Sequence, residues 1–265
     1  MVLQKNPKFY NHALPDSIDL PVFPIGRMFK GSKGKYGNGT AVIFNNHRIS
    51  FKELYTESLK LANALYELGY GKGDVITVYL PNSIQFVISY YGIILSGATY
   101  SPIDPLMPVS EVVSQIKDNG TVAVIAHESC VKNLVDHADE LLLRNVIVTG
   151  DVELDGFDVF IDLSQFSSNY FGFNDLKIRF EAKQLNLLID PQKNSTYLSY
   201  TGGTTGGQKS VLSKHYNYVS SCIVSGASRG MLPYIIDSDG VTVKPLTMQM
   251  NSSRNNYASP KQQLP

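Results

Sequence analysis

Apolar residues recur at Leu54, Leu61, Leu65 and Leu68, spaced by seven, four and three. That period belongs to a helix with one buried face. Ser50-Phe51-Lys52-Glu53 opens it as a capping box, the hydroxyl taking the N3 amide while the glutamate reaches back, and Gly69 supplies a left-handed stop. Ahead of this helix, residues 40–44 and 47–50 are β-prone runs parted by Asn45-Asn46, which predicts a hairpin. Behind it, residues 71–74 turn the chain into a strand over 75–80. Asn82 or Ser83 then caps a helix over 84–95, and a further strand follows Gly97. Residues 75–103 contain no charged side chain, which a hydropathy scan would read as a membrane span. Pro81-Asn82-Ser83 and Ser96-Gly97 divide that run into pieces too short to cross a bilayer, so it reads as a buried β-α-β unit.

The alternation continues with a helix over 109–118 closed by Asn119-Gly120, a strand over 121–126, a helix over 131–143 and a strand over 146–149. Strands that alternate with helices predict the α/β class, a mainly parallel sheet with helices on both faces. Between 151 and 191 the pattern weakens, leaving a strand around 158–163 and a helix within 174–188. A strand over 195–200 and a helix from 218 to about 227, capped by Asn217, complete the folded body. Three parts are expected: an irregular N-terminal arm over 1–38, the body over 39–229, and a divergent tail over 230–265. In the tail, 234–236 and 241–243 suit a hairpin, while 249–265 has the composition of a disordered segment.

Composition narrows the function. The 265 residues are 43% hydrophobic, with 23 basic and 23 acidic side chains. This balance gives no electrostatic case for nucleic acid or an anionic membrane as partner. Cys130 and Cys222 lie far apart without a CxxC, and His12, His47, His127, His137 and His215 lack metal-ligand spacing. No metal site is expected. The first ten residues contain no apolar signal-peptide core, and no peroxisomal signal ends the chain, so the expected location is cytoplasmic.

The candidate chemistry lies at the end of the strand over 195–200. Thr201-Gly202-Gly203-Thr204-Thr205-Gly206-Gly207-Gln208-Lys209 joins four glycines, three threonines and one lysine. Glycine removes the Cβ atoms that hold an anion away from peptide N–H groups, hydroxyls add donors, and lysine adds a point charge suited to phosphate. A plain Gly/Thr surface loop has a similar composition, but not this convergence directly after a strand. A Walker loop needs glycine immediately before its lysine; counted from Gly202, Gly207 is in place but Gln208 intervenes. Residues 211–213 also read as a strand rather than the helix that a Walker loop feeds.

The run resembles the phosphate loop of the adenylate-forming (AMP-binding) superfamily, which includes the acyl-CoA synthetases and 4-coumarate:CoA ligases. Gly203-Thr204-Thr205-Gly206, Lys209, Val211 and His215 match its signature, with Gln208 in place of the usual proline and Ser210 in place of the usual glycine. Gly97-Ala98 through Pro105 matches a second family landmark, so the resemblance covers about residues 38–229. It implies an incomplete N-terminal domain of the adenylate-forming fold. It also implies ATP, Mg²⁺ and CoA as cofactors and a small-molecule carboxylic acid as substrate, activated to an acyl-adenylate and then a thioester. Thr201, Gly202, Gly203, Thr204, Thr205, Gly206 and Lys209 would bind the nucleotide phosphates; no catalytic residue is identified.

The family's later Tyr-Gly-x-Thr-Glu segment does not occur here. Thr149-Gly150-Asp151 spells the family's ribose motif but precedes the phosphate loop, and it reads as a strand-end turn. Two functions are expected from different classes: an acid:CoA ligase represented by its N-terminal part, or a non-catalytic nucleotide-binding or interaction protein derived from one.

Overall fold

The computed structural model describes residues 20–154, 156–157, 159–164, 168–201, 209–228, 234–237 and 240–243. Its first element corrects the expectation of an irregular arm: α1 (Ile25–Tyr36) is a helix of three turns. The periodicity is faint because glycines and lysines fill half of its positions, and Ile25, Phe29 and Gly31 are the residues it buries. Phe29 holds it down, stacked on Tyr91 at 3.6 Å between ring centroids and edge-on to Tyr55 at 5.1 Å. Such aromatic pairs add about 0.5–1.5 kcal/mol each beyond their buried area.

The hairpin β1 (Thr40–Phe44) and β2 (His47–Ser50) forms as expected. Asn45 and Asn46 both adopt positive φ, 45° and 67°, the two-residue turn that asparagine tolerates best among residues with side chains. Ser50 caps α2 (Phe51–Glu67) in a full capping box: its Oγ accepts from the Glu53 amide at 3.2 Å, and its own amide donates to Glu53 Oε2 at 2.8 Å. Those hydrogen bonds hold the Glu53 carboxyl below its ordinary range.

The uncharged stretch folds as β3 (Val75–Tyr79), α3 (Ile84–Ser96) and β4 (Thr99–Pro102), with β3 and β4 parallel. Ser83 caps α3 by accepting from the Phe86 amide, and Gly97 ends it at φ 89°. Next come α4 (Val109–Asp118), β5 (Thr121–His127), α5 (Glu128–Val135), α6 (Ala138–Leu141) and β6 (Asn145–Thr149). The single helix expected over 131–143 is thus two pieces, started three residues early and broken at Asp136-His137. Burial explains the break, since Cys130, Val131 and Leu134 face the core while Leu141 returns to it from the second piece.

A 3₁₀ turn, Asp151–Leu154, leads to β7 (Tyr170–Gly172) and α7 (Phe173–Ile178). The strand expected around 158–163 is not found at its described residues 159–163, and the helix expected within 174–188 ends at Ile178; residues 181–190 run without regular structure. The sheet finishes with β8 (Ser195–Thr201) and β9 (Lys209–Lys214), followed by α8 (His215–Ser228), which starts three residues before the position expected. The hairpin expected in the tail is present as β10 (Tyr234–Asp237) and β11 (Gly240–Val243), and β11 runs beside α1. Residues 249–265 lie outside those described.

Seven strands form one sheet in the order β7-β6-β5-β3-β4-β8-β9, parallel except for the antiparallel pair β8 and β9. Strand alternation sorts the core to two faces. Ile76, Val78, Ile125 and Ile147 pack under α1, α2, α3 and α8, whereas Tyr79, Val124, Val146 and Val148 pack against α4 and α5. Helices therefore cover both faces, as the alternation of elements implies. One polar contact crosses the first layer: Lys177 on α7, almost fully buried, donates to Glu57 on α2 at 2.8 Å between the rings of Phe157 and Phe173. Burial pushes the Lys177 ammonium down and the nearby Glu153 carboxyl up.

Candidate nucleotide-phosphate site

β8 delivers the site. Thr196 and Leu198 are buried in the sheet, which leaves Tyr197, Ser199 and Thr201 on the opposite face in a line of period two. Because β8 runs parallel to β4, the chain leaves it at the carboxyl edge of the sheet, where open α/β folds hold their ligands. Thr201 and Lys209 then face one another as the last described pair of the antiparallel ladder, with the Thr201 hydroxyl donating to the Lys209 carbonyl oxygen at 3.3 Å. Both side chains are exposed. Gly202, Gly203, Thr204, Thr205 and Gly206 lie outside the described residues.

The end of β8 is held from behind. The Tyr200 hydroxyl donates to Asp118 Oδ2 at 2.7 Å and reaches the Gln115 carbonyl at 3.2 Å, which ties the strand to α4. Burial first, and the Asp118 carboxylate second, push the Tyr200 hydroxyl pKa up, so it stays a donor at all ordinary pH. Beside the line of hydroxyls, a cavity of about 570 Å³ opens between β8, β9 and α8, walled by Tyr197, Ser199, Ser213, Tyr218 and Cys222. Tyr197 and Tyr218 stand 5.4 Å apart between ring centroids. Tyr197 and Tyr218 were not among the residues expected at the site, although counting back by twos from Thr201 reaches Tyr197.

The strand after Lys209 separates this loop from a Walker loop. The chain continues extended to Lys214, and α8 begins only at His215. This geometry also removes His215 from the phosphates, since six strand residues at about 3.4 Å each place it roughly 20 Å from Lys209. His215 is buried, its Nδ1 accepts from the Ile25 amide at 3.4 Å, and burial pushes its pKa down to about 4. Thr149-Gly150-Asp151 does not join the site either. It ends β6, separated from β8 by three strands, or roughly 19 Å at the ordinary spacing.

The hydroxyl and lysine chemistry fits the terminal phosphates of a nucleotide. Among the described residues no three His, Cys, Asp or Glu side chains gather to hold a metal, and no helix is long and apolar enough to cross a membrane.

Comparison with known proteins identifies the family and the fold. The family described as "AMP-binding enzyme" matches residues 29–250, wider on both sides than the body expected over 39–229. The long-chain-fatty-acid–CoA ligase of Bacillus subtilis (strain 168) is 26% identical over 224 residues, which are 80% of this chain and 40% of that protein. Surfactin synthase subunit 3 of the same organism is 26% identical over 194 residues, 73% of this chain and 13% of that one. Among solved structures, a long-chain-fatty-acid-CoA ligase from Archaeoglobus fulgidus superposes with a TM-score of 0.71 at 22% identity, covering 84% of this chain and 43% of that one. The anthranilate CoA ligase AuaEII in complex with anthranoyl-AMP gives 0.67 at 21% identity, covering 79% and 38%. The chain therefore shares their fold and spans about 40% of the length of the ligases it matches.

Proposed function

The chain belongs to the family of AMP-binding enzymes, and from that membership we propose that it carries the leaving-group end of a site where ATP activates a carboxylic acid. In that reaction a carboxylate oxygen attacks the α-phosphorus, the bond to the β-phosphate oxygen breaks and pyrophosphate leaves. The thiol of CoA then attacks the acyl carbon, and AMP departs. Thr201, Gly202, Gly203, Thr204, Thr205, Gly206 and Lys209 would hold the β- and γ-phosphates, with Mg²⁺ accompanying the nucleotide. The observation that carries this reading is the pairing of Thr201 with Lys209 at the carboxyl edge, which aims both ends of a glycine-threonine loop at one place. Ser199 and Tyr197 lead from that loop to the tyrosine-walled cavity, whose lining suits an acid with an apolar body, fatty or aromatic. Residues 39–229 would be a partial adenylation domain, located in the cytoplasm.

The 265-residue chain by itself is proposed to bind ATP without completing the reaction. It lacks a recognisable Tyr-Gly-x-Thr-Glu segment for the α-phosphate and metal, and losing one preorganised donor already costs roughly a hundred- to a thousandfold in rate. Calorimetric titration with ATP, followed by acid-dependent pyrophosphate exchange, tests both parts. Binding weakened by about 1–3 kcal/mol in Lys209→Ala is expected, with the smaller value for an exposed lysine. Unchanged affinity in that variant removes Lys209 from the site. Acyl-AMP formation by the chain alone at about 1 per second or faster overturns the claim of incompleteness.

A further inference from the structure

A second cavity lies between the β1–β2 hairpin, the start of α3, the 3₁₀ turn and α7, and it measures about 180 Å³. The α3, 3₁₀ and α7 segments follow the ends of β3, β6 and β7, so the cavity sits at the carboxyl edge of the sheet, where open α/β folds hold ligands. Ile49, Ile84, Ile88, Phe157 and Phe173 make its apolar wall. It is smaller than the pockets of drug-sized ligands and a little larger than the cavity of about 150 Å³ that admits benzene, so it suits one ring with a short substituent.

Gln85, in the first turn of α3, is the polar group this cavity leaves unmatched. It is 6% exposed, and its side-chain amide makes no hydrogen bond with the described residues. The unpartnered hydroxyls of Ser58 and Ser89 are sealed in the core beyond the reach of a ligand, whereas the amide atoms of Gln85 keep surface on the cavity. The charged groups of the wall are already answered. Lys177 donates to Glu57 at 2.8 Å, Glu153 accepts from the Thr149 hydroxyl at 2.5 Å and the Asn174 backbone amide at 3.2 Å, and Glu53 is held by Ser50. Arg48 is exposed to water. A neutral ligand therefore meets no unanswered buried charge, while a charged one would bring its own.

We infer that this cavity binds a small aromatic carboxamide, its ring against Phe157 and Phe173 and its amide paired edge to edge with that of Gln85. A primary amide presents an N–H and a carbonyl oxygen on one edge, and the glutamine amide presents the same pair reversed, so both polar atoms of Gln85 are matched at once. A carboxylate has no donor for Gln85 Oε1, and a hydrocarbon has a partner for neither atom. Two phenyl rings in the wall favour a flat ring over a chain. The inference uses none of the groups assigned to the phosphate loop and does not depend on the reading of that loop.

The test titrates benzamide and benzoate into the ¹⁵N-labelled full chain. It reads the backbone amides of Phe157 and Phe173 and the Gln85 side-chain NH₂ pair, assigned by its loss in Gln85→Leu. Benzamide should shift all three saturably, and benzoate, of nearly the same shape, should bind at least tenfold more weakly. Gln85→Leu keeps the volume and removes the amide. It should weaken benzamide at least tenfold and, because an unmatched buried amide is gone, raise the denaturant midpoint of the free chain. Lys209→Ala should leave benzamide binding as it is. The inference is overturned by no saturable shift with benzamide, by benzoate binding within tenfold of it, or by an effect of Lys209→Ala on it. A loss of less than tenfold in Gln85→Leu, or a midpoint that does not rise in that variant, overturns it equally.

Discussion

His215 joins the start of α8 to the start of α1 through a single ring nitrogen, and its titration should be visible in the stability of the whole chain. Its pKa falls from 6.5 to about 4 on folding, caused by burial. Between those values the unfolded chain binds the extra proton and the folded one does not, so stability rises with pH. The contribution is complete above pH 6.5 and is lost as pH falls to 4, about 3 kcal/mol at 1.36 kcal/mol per unit. Urea unfolding across that window should give a slope in the natural protein and a flatter one in His215→Phe; equal slopes would exclude His215 as the cause. A second buried group permits a cleaner dissection. Lys177→Met leaves the buried Glu57 with only Lys60 as its lysine partner, which should cost about 1–3 kcal/mol, whereas the double variant with Glu57→Leu should recover most of it. If the double variant unfolds as readily as the single one, the pair does not hold α7 to α2.

At the scale of elements, the packing of α2 on α3 turns on one glycine. A Cβ built on Gly92 would meet Leu61 Cδ2 at 2.6 Å and Cγ at 2.8 Å, and Leu61 is fully buried with no room to withdraw. Gly92→Ala should therefore destabilise the fold by about 1–3 kcal/mol despite the better helix propensity of alanine, measurable as a lower denaturant midpoint. A gain in stability would show that the two helices can separate freely. Such a contact cannot be read locally, and the same boundary separates what the chain reveals from what it conceals. The capping box at Ser50, the asparagine turn, the glycine stops and the uncharged β-α-β unit were legible because each is written within a few residues. Helix α1 was not, since its case rests on Phe29 meeting Tyr91 from a distant helix. Nor was β7, whose three residues are too few to show a period. At the candidate site, the loop chemistry and its flanking strands were legible. The departure of His215 to the far edge was hidden, because it depends on how many residues β9 spends extended before α8 begins.

Across the whole molecule, the sheet is covered on both faces but ends at β9 among the described residues, with Val211 and Leu212 exposed at 44% and 56%. An edge strand with a free row of backbone groups and two outward apolar side chains is a template for a further strand. What restrains it is charge: Lys209 and Lys214 stand at its two ends. That makes the chain's behaviour in solution a question of colloid chemistry. Two such edges approaching one another bring four lysines together, and their repulsion reaches only about 10 Å at 0.1 M salt and about 3 Å at 1 M. Sedimentation velocity should therefore show self-association that grows with salt, opposite to the usual dissolution of charge-driven complexes, and Leu212→Lys should suppress it. Dissociation on adding salt would mean that the contact is ionic and lies elsewhere. With β9 as the sticking edge, purification in dilute buffer should keep the chain dispersed, and a high-salt wash should be the step at which it is lost.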